Sequence, residues 1–104
     1  MKTKILLSIL SLGLLISTVN ADVSKGQKLF SKKLKKVCEI SGAKMANKHI
    51  QDDWEAIFNN KKLKKEIRRI CPKVKDDALK DKFMPHYFDF FYEYASDSGN
   101  VPSC

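Results

Sequence analysis

The side chains of this chain best equipped to bind a metal or exchange electrons are Cys38, Cys71 and Cys104, His49 and His86, and Met84 standing before Pro85. Zinc sites draw Cys or His in pairs two to five residues apart, and here all five are scattered, so zinc is not expected. A single His near a helix start ordinarily serves as a surface or capping residue. The acidic pairs Asp52-Asp53 and Asp76-Asp77 read as helix N-terminal residues rather than as couples for acid–base work. No Ser-His-Asp pattern, glycine-rich phosphate loop or Cys-x-x-Cys redox pair is present. No catalytic residue is therefore expected, and an enzyme is the least supported class.

What the cysteines do depends on the compartment, and the first residues bear on that. Lys2 and Lys4 precede an apolar run from Ile5 to Ile16, and Val19-Asn20-Ala21 supplies small groups at the usual cleavage positions. Residues 1–21 read as a secretory signal peptide. The run is too short for a bilayer-spanning helix, and no second one follows. Thiols in an oxidising compartment tend to pair, so two of Cys38, Cys71 and Cys104 are expected to form a disulfide. Loop closure does not choose between them: Cys38–Cys71 and Cys71–Cys104 are each worth about 3.8 kcal/mol and Cys38–Cys104 about 4.4. The odd thiol is left to stay free, to bridge two chains as a dimer, or to hold a ligand.

The chain has 104 residues and a formal charge of +8. Without Lys2 and Lys4 the remaining 18 basic against 12 acidic residues leave +6. Charge is uneven: residues 22–75 hold 16 basic and 6 acidic side chains, and residues 76–104 hold 2 and 6. Packing of the two ends should satisfy part of this internally and leave a Lys-rich face. The basic stretches are Lys32 to Lys36 and Lys61 to Arg69. Export argues against nucleic acid. An acidic redox partner, an anionic membrane surface, or a solvated face with no partner remain as readings.

The elements that must position these groups are helices. Ser24 and Gln27 make a capping-box pattern, and Leu29, Phe30, Leu34, Val37 and Cys38 recur at helical spacing, which predicts a first helix over about 25–37. A second is expected from Gln51 or Asp52, with Trp54, Ile57 and Phe58 on one face. After the Asn59-Asn60 break, Leu63, Ile67, Ile70 and Cys71 define a third whose outer face is Lys and Arg, ended by Pro72. The last should open at Pro85 and carry six aromatics to Ala95, before an irregular tail over 96–104. Met45 is expected in the core. The fold class is all-α, a small bundle of about four helices over residues 22–95.

Gly26 four residues before Phe30 on the first helix, and Phe91 with Tyr94 one turn apart on the last, form a further constellation. It resembles the packed terminal helices of class I cytochromes c. The Gly26-Gln27-Lys28-Leu29-Phe30 opening, Trp54 in a middle helix and Met84-Pro85 before the last helix are also similar to that family. The resemblance covers about residues 25–95. It implies a cytochrome c-like bundle with packed N- and C-terminal helices, a periplasmic location, a haem cofactor, electron transfer, and Met84 as the distal iron ligand.

The sequence departs from that family where the haem would attach. In place of Cys-x-x-Cys-His, whose thiols bind haem and whose His ligates its iron, the chain has Lys35-Lys36-Val37-Cys38-Glu39. Cys38 alone offers one thioether, and a carboxylate at Glu39 is a poor substitute for imidazole. Two expectations stand. In one, the protein is a periplasmic electron carrier with haem held through Cys38 or by His49 with Met84 or His86. In the other it is a haem-free, disulfide-stabilised binding or adapter protein with a basic docking face, its aromatics filling the space of the cofactor and Cys38 paired with Cys71 or Cys104.

Overall fold

Phe30 and Leu34 stand one turn apart on a helix otherwise studded with lysines, and both are fully buried. That apolar stripe is what docks the helix. The computed structural model describes residues 23–102; the expected leader and Cys104 lie outside them. Helix α1 covers the described residues 23–33, and α2 is Lys35–Cys38. Leu34 departs from helical geometry between them, yet the bonds from Leu34 N–H to Phe30 and from Cys38 N–H to Leu34 carry the ladder across. Residue 23 is already helical, so Ser24 lies inside α1 rather than capping it.

A short helix that the sequence reading did not expect, α3 (Gly42–Ala46), follows, capped by the Ser41 hydroxyl accepting from Lys44 N–H at 3.1 Å. It carries Met45 into the core, where it is fully buried. Helix α4 (Gln51–Asn59), α5 (Leu63–Ile70) and α6 (Met84–Glu93) fall where periodicity places them, with Pro85 in the first turn of α6. Two 3₁₀ turns, Asp76–Leu79 and Asp81–Phe83, connect α5 to α6. Among the described residues the fold is all-α as expected: the four expected helices are present, the short α2 and α3 bring the count to six, and there is no strand. No helix among them is long and apolar enough to cross a membrane.

Helices α4 and α6 pack extensively against each other. Phe91 is the hub: its ring lies 4.7 Å from Trp54, 6.1 Å from Tyr87, 6.3 Å from Phe30 and 5.8 Å from Phe90. All five rings are fully buried. Helical spacing explains how six aromatics share one helix. Tyr87, Phe90 and Phe91 face the core, while Phe88 turns half outward to stack on Phe58 at 4.5 Å. The two polar aromatic groups inside are both satisfied: Trp54 Nε1–H donates to the Ala46 carbonyl and the Tyr87 hydroxyl to that of Ala78, each at 2.9 Å. Burial, aided by the charge of Asp77, pushes the Tyr87 hydroxyl well above its ordinary pKa, so it stays a donor.

The segment after α6 is irregular but pinned. Ser96 N–H donates to the His49 carbonyl at 3.1 Å, and Asp97 Oδ1 accepts from Gln51 N–H at 2.9 Å. Asp97 therefore caps α4 from across the fold, where the local Ile50 has no side chain able to do so.

Gly26 sets how closely α1 approaches α6. A Cβ there would lie 2.0 Å from the His86 carbonyl oxygen and 2.9 Å from Phe90 Cβ, and the first of these is backbone that cannot swing away. Helix propensity alone would favour Gly26→Ala by about 1 kcal/mol. The clash should reverse that sign and lower stability by about 1–3 kcal/mol, as overpacked cores do. Urea denaturation checks it, with exposed Lys28→Ala expected to remain within about 0.5 kcal/mol of the parent.

Candidate functional site

Cys38 closes α2 and Cys71 follows α5, and the two are joined by a disulfide with Cα atoms 5.3 Å apart. Pro72 ends α5 and the apolar stripe Leu63, Ile67 aims Cys71 inward, where it is 3% exposed. With this bond formed, the Cys38 sulfur has no valence left for a thioether. Glu39, at the position the resemblance gives to the proximal His, is exposed and left-handed (φ 52°), where it terminates α2. Cys104, the third thiol, lies outside the described residues.

Of the three residues expected to ligate iron, Met84 and His86 lie on the first turn of α6 and His49 lies ahead of α4. His49 is held there by its side chain: Nε2 lies 2.6 Å from Glu66 Oε2, Nδ1 lies 3.9 Å from Asp53 Oδ2, and the ring meets Trp54 edge-on at 4.7 Å. Met84, 8% exposed, lines a hollow with Phe58, Leu63 and Pro85. His86 presents its backbone carbonyl to Gly26 at the crossing of α1 and α6. No group of three or more His, Cys, Asp or Glu placed to hold a metal ion occurs among the described residues. Gly26, Phe30 and Phe91 do come together, and Tyr94 joins them through Phe90, whose ring is 5.4 Å away.

Glu66 escaped the sequence reading because its partners come from different distances along the chain. Arg69 is one turn away on the same helix, whereas His49 is 17 residues earlier and reaches it only through the fold. The Arg69 guanidinium holds the Glu66 carboxyl down at about 2; partial burial opposes this, and the His49 hydrogen bond reinforces it. This bridge ties α5 to the loop before α4.

Charge follows the expected division. The acids of the 3₁₀ segment cross over to the basic helices, Lys33 to Asp77 at 3.8 Å, Arg68 to Asp76 at 2.8 Å and Lys64 to Asp81 at 2.6 Å. These pairs are exposed and each contributes about 0–1 kcal/mol. Lys61, Lys62 and Lys65 are exposed and make no ion pair among the described residues. They gather at the corner between α4 and α5, where Lys61 is left-handed with φ 59°. A side chain in that conformation costs about 1–2 kcal/mol. The Asn59-Asn60 break signalled the turn; that the left-handed residue is the lysine after it was not legible.

Comparison with protein-family models, with curated proteins and with solved structures finds no match.

Two predictions attach to these contacts. Replacing both Cys38 and Cys71 by Ser should lower stability by about 3.8 kcal/mol, the loop-closure value for their separation, read by chemical denaturation without reductant. For Glu66, the folded carboxyl titrates below the unfolded one at 4.5. Its contribution is therefore complete above about pH 4.5 and disappears as pH falls toward 2, with an upper bound near 3 kcal/mol that solvent around Arg69 reduces. Glu66→Gln should flatten the stability profile across that window and leave the slope above pH 5 unchanged.

Proposed function

We propose that the chain is a haem-free, disulfide-braced helical docking module that works after export and keeps a cytochrome c-like packing of its terminal helices. The observation that carries this is the Cys38–Cys71 disulfide: the single thiol at the attachment position is spent on bracing α2 against α5. Filling of the interior supports it. Trp54, Tyr87, Phe30, Phe90 and Phe91 are packed ring on ring where a small domain would otherwise lean on a cofactor for its core. The residues toward haem fit it poorly, because the His49 ring is engaged by Glu66 and Trp54 and neither histidine lines the hollow beside Met84.

Export is supported by the leader pattern and by a disulfide, which oxidising compartments maintain. In place of electron transfer, the working feature is the basic surface, whose unpaired lysines would attract an acidic partner and hold it less tightly as salt rises. Binding rather than catalysis is the proposed activity.

Titration of the purified, oxidised protein with haem tests this. The expected result is a spectrum that follows free haem, with no saturable one-to-one Soret change. A saturable Soret change that disappears in Met84→Ala or His49→Ala would overturn the proposal and restore the electron carrier.

A further inference from the structure

The corner between α4 and α5 is built in an unusual way. Lys61 N–H donates to the Phe58 carbonyl at 3.0 Å and Lys62 N–H to that of Ile57 at 2.9 Å, the pair of bonds that closes a helix with a left-handed residue after its cap. Glycine is the usual occupant of that position, since it alone takes a positive φ without penalty. Here it is Lys61, at φ 59°. A side chain is thus retained at a place where the backbone would be more stable without one.

That side chain borders a hollow of about 560 Å³ whose apolar lining is Phe58, Leu63, Met84 and Pro85. A second hollow, of about 280 Å³, has Ile57 at its lining and Lys62, Lys65 and Arg69 around it. The acids that border them are engaged, Asp81 by Lys64 and Glu66 by Arg69 and His49. Positive charge without a partner therefore stands beside two apolar depressions.

We propose that this corner docks an acidic polypeptide segment that carries apolar side chains, with Lys61, Lys62 and Lys65 meeting its carboxylates and the hollows taking its apolar groups. The proposal rests on the docking function above and names its site and the class of its partner. A lipid surface fits less well. Among the described residues the large exposed apolar side chains, Ile50 and Val101, lie ahead of α4 and in the C-terminal segment, so the corner has none to insert into a bilayer.

Fluorescence anisotropy with a labelled peptide of alternating Glu and Leu tests this, beside polyglutamate of equal charge and vesicles containing phosphatidylglycerol. The mixed peptide should bind about tenfold more tightly than polyglutamate and weaken with salt. Lys61→Gly should raise the denaturation midpoint yet weaken binding about fivefold, a split that a merely structural lysine would not give. Lys61→Glu with Lys65→Glu should remove binding, while Lys25→Glu with Lys28→Glu should hold it within about twofold. Equal losses from the two charge-reversed pairs, unchanged binding by Lys61→Gly, or tighter binding to vesicles than to peptide would overturn the assignment of the corner and leave docking elsewhere intact. Absence of salt-dependent binding to any of the three probes would overturn the docking function itself.

Discussion

The backbone approach of α1 to α6 at Gly26 is the constraint from which the rest of the core follows. With no Cβ in the way, the His86 carbonyl and Phe90 come against the α1 backbone. Phe30, one turn further on, then falls within ring contact of both Phe90 and Phe91. Phe91 in turn receives Trp54 from α4, and Trp54 reaches the end of α3 through the Ala46 carbonyl. One missing methyl group thus lets α1 join α4 at the Phe91 ring of α6, with α3 tied in through Trp54. Helix α5 is added by other means: Ile67 in the core, the disulfide at one end and the Glu66–His49 bridge on its flank.

Much of this was written in local pattern. The apolar spacing of Leu63, Ile67 and Cys71, the prolines Pro72 and Pro85 at either end of the connection from α5 to α6, and the aromatic run of α6 are period and punctuation signals that act within one or two turns. What stayed hidden depends on contacts between segments far apart in sequence. The spacing of the cysteines gave equal values for two pairings, and only the packing of α2 beside the end of α5 selects Cys71 for Cys38. The capping of α4 by Asp97 and the engagement of His49 by Glu66 are of the same kind. Helix α3 was missed because five residues are too few to show a period, although Ser41 stands at its start as a cap.

The residues that carry the packing of α1 on α6 are not the ones that would carry haem chemistry. Gly26, Phe30, Phe91 and Tyr94 belong to the packing of helix on helix, which requires small and aromatic groups but no cofactor. The chemical positions are separable from it: lysine and glutamate occupy two of them, and the remaining cysteine is turned to bracing. On the proposed haem-free reading, stability that a prosthetic group would supply to so small a domain comes from buried rings and a cross-link. Of the surface charge, Lys61, Lys62 and Lys65 make no ion pair among the described residues, and they gather at the α4–α5 corner, where the fold tolerates a strained lysine.

Whether Cys38 is a bracing cysteine or a haem-bearing one decides between the two chemistries, and intact mass reads it directly. The protein should be exported from a host that matures c-type haem proteins and weighed without reduction, before and after thiol alkylation. A mature chain lighter by two hydrogens, with Cys38 and Cys71 protected from alkylation until reduced, is the expected result. A mass increased by one haem on the peptide containing Cys38, or alkylation of Cys38 without reduction, would contradict it.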